Sequence, residues 1–80
     1  MTSGRILIVE DEKQIAETVR LYLERDGFFV VVASTGADAL RAVKDGFDLI
    51  ILDLMLPDMR GEDICTAVRE FSDIPTLLSG

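Results

Sequence analysis

The sequence predicts an α/β domain built on a parallel sheet with helices on both faces. Three observations carry that expectation. Short apolar runs alternate with segments of helical periodicity in the order β-α-β-α-β-α-β, and the connections are only a few residues long. Two of the runs, Arg5-Ile6-Leu7-Ile8-Val9 and Leu49-Ile50-Ile51-Leu52, are apolar without alternation. Such runs are too short for buried helices and read as strands covered on both faces, the kind found inside parallel sheets. Parallel strands require crossovers, which run right-handed and lay helices over the sheet.

Each element follows from local chemistry. Met1 to Gly4 read as a short flexible lead before the first strand. That strand ends in three successive acids, Glu10-Asp11-Glu12. From Lys13 to Asp26 the residues Ile15, Val19, Tyr22 and Leu23 recur at helical spacing and are expected to face the core, with Gly27 as the stop. Phe28 to Ala33 is a β-branched, aromatic strand. Thr35-Gly36-Ala37-Asp38 has the spacing of a capping box and opens a helix carrying Ala39, Leu40 and Val43 inward, closed by Gly46. The central strand follows and runs into Asp53 and then Pro57. Gly61 precedes a third helix with Ile64, Val68 and Phe71 as its apolar stripe. Pro75 introduces a last short strand, Thr76 to Ser79.

Composition narrows the function. Eighty residues suffice for one small domain, and 49% hydrophobic content argues against disorder. A net charge of −7 without a basic stripe leaves no surface to track phosphates of a nucleic acid. With Cys65 as the single cysteine there is neither a disulfide framework nor a cysteine metal cluster, and its thiol is expected to pack as a small hydrophobe. Arg5 is followed by only four apolar residues before Glu10, so no signal peptide is read, and no run approaches transmembrane length. A cytoplasmic location is the expectation.

Asp53 alone would simply begin a polar loop, as aspartate often does at strand ends. Together with Glu10 and Asp11 it means more. If the first and third strands are neighbours, three carboxylates converge where the strand order reverses, the place where open α/β sheets bind their ligands. Like charges crowded there raise at least one pKa unless a cation compensates. A hard divalent cation with oxygen ligands suits them, and Mg²⁺ is the abundant candidate.

The stretches Ile8-Val9-Glu10-Asp11-Glu12 and Leu52-Asp53-Leu54-Met55-Leu56-Pro57-Asp58-Met59-Arg60-Gly61 resemble the receiver domain of two-component response regulators, over Arg5 to about Pro75. The likeness is greatest to receivers that precede winged-helix DNA-binding domains. It implies a flavodoxin-like sheet, here limited to strand order 2-1-3-4, with residues 1–80 as one partial receiver domain. It further implies that Asp53 accepts a phosphoryl group from a sensor histidine kinase. Asp11 would ligate Mg²⁺ directly, Glu10 through water, and the backbone carbonyl of Met55 would add an oxygen. Pro57 and Gly61 would shape the loop around Asp53.

Departures from that pattern are specific. The hydroxyl expected at the end of strand four falls at Gly80, and Ser79, the candidate switch hydroxyl, stands one residue early. Because side chains alternate along a strand, that offset turns Ser79 away unless the strand slips or bulges. The resemblance also implies a fifth strand, two more helices and a phosphate-pairing lysine beyond these 80 residues; Lys13 and Lys44 match no such position. Rival classes fit less well. A dinucleotide site needs a glycine-rich turn where Glu10-Asp11-Glu12 stand. A haloacid-dehalogenase-type phosphatase wants an aspartate where Met55 sits, and a phosphohistidine carrier needs a histidine. The alternative is a receiver fragment that only associates. Three helices over four strands leave apolar surface bare and strand four open-edged, so a homodimer through that edge or by exchanged C-terminal elements is expected.

Overall fold

The apolar run Arg5–Val9 forms β1, an inner strand hydrogen-bonded on both sides. The computed structural model describes residues 4–70 and 72–79; Met1 to Ser3 of the lead, the stripe residue Phe71 and Gly80 lie outside them. The chain continues through α1 (Lys13–Arg25), β2 (Phe29–Ala33) and α2 (Gly36–Ala42), which tightens into a 3-10 turn, Val43–Asp45. Then come β3 (Leu49–Asp53), α3 (Gly61–Arg69) and β4 (Thr76–Ser79). All pairings are parallel and the order is β2-β1-β3-β4, as the sequence predicts.

Period-two alternation sorts the strand residues onto two faces. Leu7, Val9, Ile50 and Leu52 meet Ala39 and Val43 of the second crossover and Ile64 and Val68 of α3, with Phe47 closing the layer. Ile6, Ile8 and Val30 pack on Ala16, with Val19, Leu23, Leu49 and Ile51 around them. Thus α2 and α3 share one face, and among the described residues α1 alone covers the other. Burial of this kind contributes about 25 cal/mol per Å² of apolar surface, so the doubly covered strands β1 and β3 carry most of the stabilisation.

Two features of α1 correct the sequence reading. Ile15 and Tyr22 are 47% and 65% exposed, and Ala16 takes the core position between Val19 and Leu23. The helix seats its narrow Ala16 side on the sheet, and the Ile15–Tyr22 flank stays exposed. At the opposite end of the sheet from the strands' C-termini, the Arg5 guanidinium lies over the rings of Phe29 and Phe47 at 4.6 and 5.1 Å. Its Nε donates to the Gly46 carbonyl at 2.9 Å, pinning the turn that enters β3.

β4 is bonded on one side only among the described residues. Its Leu77 and Leu78 remain 57% and 48% exposed, one on each face of the strand.

Candidate functional site

The rim of the sheet gathers the acids. Glu10 follows β1 directly, and its N–H donates to the Ala33 carbonyl at 3.0 Å, which carries the β1–β2 ladder one step past the strand. Asp53 is the last residue of β3, and Val9 pairs with Leu52 just below it. Glu10, Asp11 and Asp53 each offer a carboxylate oxygen, and the three oxygens lie within 4.8 Å of one another. Glu10 is partly buried, Asp53 likewise, and Asp11 is exposed.

The electrostatics follow from that crowding, with one amendment. Glu10 is raised above the ordinary glutamate value, first because burial strips water from its charge. A hydrogen bond from the Glu12 N–H (3.1 Å) opposes this, and the neighbouring Asp53 charge adds to it. Desolvation therefore leads, and like-charge repulsion, which the sequence suggests, comes behind it.

Asp53 is oriented by its own loop. The Met55 N–H donates to Asp53 Oδ1 at 2.9 Å. The loop is closed by an antiparallel bridge between Met55 and Arg60 and by the Gly61 N–H on the Leu54 carbonyl at 3.3 Å. Gly61 sits so close to Leu54 that a Cβ there would lie 2.7 Å from the Leu54 Cα. Pro57 and Gly61 thus frame a compact turn.

Ser79 ends the β4 ladder, and the counted hydroxyl position, Gly80, lies outside the described residues. The β3–β4 ladder runs through four consecutive pairs, Ile50 with Thr76 to Asp53 with Ser79, and the Leu54 N–H then bonds the Ser79 carbonyl at 2.8 Å. Partners in a parallel ladder share a face, so Ser79 stands beside Asp53, on the same side of the sheet. At the start of β4 the Ile50 N–H donates to the Pro75 carbonyl at 2.9 Å. Lys13 stays on the exposed start of α1, in a groove with Glu10, Glu17 and Arg20. Cys65 is a partly buried free thiol packed against the α2–α3 core.

One contact had no sequence signal. Asp58 reaches from the loop to α2, accepting from the Gly36 N–H at 2.8 Å and the Ala37 N–H at 3.1 Å. Thr35 Oγ1 accepts from the Asp38 N–H at 3.1 Å, the half of the capping box that forms. The Asp38 carboxylate pairs with Arg41.

An open parallel sheet with three acids at its switch point and a tight turn bonded to Asp53 defines a flavodoxin-like domain with an acidic rim. Comparison with known proteins gives that class its family. Residues 6–79 match the family model described as response regulator receiver domain. The chain belongs to that family. It is 40% identical over 79 residues to the sensory transduction protein RegX3 of Mycolicibacterium smegmatis, covering 98% of this chain and 34% of that protein. With the DNA-binding response regulator MtrA of the same organism it shares 41% over 75 residues, 92% of this chain and 33% of MtrA. The chain therefore spans about a third of the length of these curated relatives. Among solved structures, the chemotaxis response regulator CheY4 of Vibrio cholerae superposes with a TM-score of 0.91 at 33% identity, over 96% of this chain and 68% of that one. The BeF3-activated N-terminal receiver domain of Klebsiella pneumoniae RstA gives 0.87 at 31%, over 92% and 64%. No helix among the described residues is long and apolar enough to cross a membrane.

Proposed function

We propose that Asp53 is the phosphoacceptor of this receiver domain, modified in the cytoplasm from the phosphohistidine of a sensor histidine kinase in the presence of Mg²⁺. The observation that carries the reading is the convergence of the Glu10, Asp11 and Asp53 oxygens within 4.8 Å at the ends of β1 and β3. An all-oxygen donor set of this charge suits a hard cation, with Asp11 and Asp53 as direct ligands, Glu10 through water and the Met55 carbonyl alongside. Bound there, Mg²⁺ would neutralise negative charge on the transferring phosphoryl oxygens. An Asp53 oxygen forms the new P–O bond as the donor's P–N bond breaks, and the Met55 N–H holds the carboxylate in line. Ser79, which pairs with Asp53 across the ladder, would be the hydroxyl that meets the modified side chain. Residues 1–80 act as one partial receiver unit, and with no phosphate-pairing lysine among them the transfer is slow. A merely structural module gains nothing from three crowded acids, one of them partly desolvated, so no observation favours that alternative. The test is a small acyl phosphate with Mg²⁺: intact mass should rise by one phosphoryl group located on Asp53. No added mass after long incubation would exclude the reading.

Metal binding should depend on Asp11 and on pH. Asp11→Asn is expected to weaken Mg²⁺ by about tenfold, since ligand charge drives affinity for hard cations. Equal binding by both proteins in calorimetric titration would move the site elsewhere. The raised Glu10 also fixes a sign. A carboxyl that binds its proton more tightly folded than unfolded makes the metal-free protein lose stability as pH rises from the ordinary glutamate value through the raised one. Mg²⁺ should therefore raise Tm at neutral pH and lose that effect below the ordinary glutamate value. A Tm increment independent of pH would contradict the placement of Glu10.

The same 80-residue chain is proposed to self-associate. Among the described residues β4 is paired on one side only, with Leu77 and Leu78 exposed on its two faces, and the Ile15–Tyr22 flank of α1 adds apolar surface. Pairing through β4 or exchange of C-terminal elements would cover it. Light scattering at micromolar concentration should give a dimer mass. A monomer whose cooperative unfolding does not vary with concentration would refute this.

A further inference from the structure

We infer that Asp58 is a positioning residue: by bonding the first turn of α2 it holds the loop that orients Asp53. The inference rests on Asp53 being the phosphoacceptor.

The loop from Leu54 to Arg60 is fixed at two places. Its base is tied by the Met55–Arg60 bridge and the Gly61–Leu54 hydrogen bond. Its tip is tied by Asp58, whose Oδ1 and Oδ2 accept from the N–H groups of Gly36 and Ala37. These are charge-assisted bonds to donors that no carbonyl of the helix can reach, and such donors are otherwise left to water. The carboxyl of Asp58 is held below its ordinary value, chiefly by the Gly36 N–H.

The neighbouring Met59 makes the tip contact close as well as polar. A Cβ on Gly36 would lie 2.7 Å from Met59 Sδ, 2.8 Å from its Cβ and 2.9 Å from its Cγ, so only glycine admits the loop this near to the helix. With both ends fixed, the Met55 backbone between them has little freedom. That backbone supplies the N–H on Asp53 Oδ1 and, in the proposed site, a carbonyl toward the cation. Release of the tip frees Met55, and with it the direction of the nucleophile.

Second-sphere contacts of this kind typically change metal affinity by 10–100-fold when removed, and the exposed setting places the expected effect of Asp58→Ala at about tenfold. The experiment compares Asp58→Ala and Asp58→Asn with Thr35→Ala. Thr35 caps the same helix through the Asp38 N–H, a bond within the helix end and not to the loop. Two quantities are read at a temperature where every variant is folded: the Mg²⁺ dissociation constant by calorimetry, and protection of the Met55 amide from hydrogen exchange. Asp58→Ala should weaken Mg²⁺ about tenfold and expose the Met55 amide. Asp58→Asn, which keeps one acceptor oxygen, should fall between, and Thr35→Ala should leave both readings as in the wild type. Equal changes in Asp58→Ala and Thr35→Ala would make Asp58 an ordinary helix cap, and no change in either would leave it no positioning role. If the wild type itself binds no Mg²⁺, the cation site fails. Met55 exchange then still decides the matter: protection lost only in the Asp58 variants upholds the tether, and protection unchanged overturns it.

Discussion

Asp53→Asn is expected to abolish modification by a small acyl phosphate, leaving the intact mass unchanged where the wild type gains one phosphoryl group. The amide has no anionic oxygen to attack phosphorus, and positioning without a nucleophile does not give transfer. The fold should persist, because the asparagine carbonyl can still accept the Met55 N–H that Asp53 Oδ1 takes now. Removing one of the crowded charges also relieves Glu10, whose raised value owes part of its shift to Asp53. The variant should therefore unfold at the same or slightly higher temperature without Mg²⁺ at neutral pH. Loss of modification with retained stability is the signature of a reacting group. Equal mass gain in both proteins would place the reactive carboxylate elsewhere.

Gly61→Ala is expected to be the most damaging small substitution. The new methyl would lie 2.7 Å from Leu54 Cα and Cδ2 and 3.3 Å from the Asp53 carbonyl oxygen. Leu54 Cα is backbone and cannot rotate aside, so either α3 moves off the sheet or the Asp53 loop moves with it. Overpacking of this sort costs roughly 1–3 kcal/mol. Against the roughly 0.05–0.15 kcal/mol per residue typical of native domains, that is a large share for a chain of this size. Urea denaturation should show a lower midpoint at unchanged slope, and acyl-phosphate modification should slow in the fraction that stays folded. Wild-type stability together with a wild-type rate would mean that the loop has slack the structure does not show.

Strands, helices and the acid cluster were legible because each rests on local chemistry. β1 and β3 declare themselves by unbroken apolar runs, and Thr35 does cap α2. The three acids could be brought together on one condition, that the first and third strands are neighbours, and the sheet order meets it. Ile15 and Tyr22 were misassigned for a physical reason. Helical spacing fits both Ala16–Val19–Leu23 and Ile15–Val19–Tyr22, and only the position of the sheet beneath chooses between them. Ser79 shows the same limit for strands. Counting residues gives a position along the chain, whereas the partner of Asp53 is set by the register of the ladder, which only the folded sheet shows. Asp58 was silent in the sequence, since its partners are backbone N–H groups that every residue but proline carries.

The central place of β1 bears on how the chain comes to be folded. Arg5 pairs with Phe29 on one side, and Ile6 pairs with Leu49 on the other. Neither partnership is local, and the second must wait until both α1 and α2 have been made. A chain emerging from the ribosome thus carries its most deeply buried strand unsheltered on one edge until β3 follows. Closing such long loops before any contact rewards them slows folding compared with helical bundles of equal size. During that interval Ile6, Leu7, Ile8 and Val9 form the segment most open to a wrong partner, and Glu10, Asp11 and Glu12 directly behind it supply charge that opposes the approach of like unfolded chains.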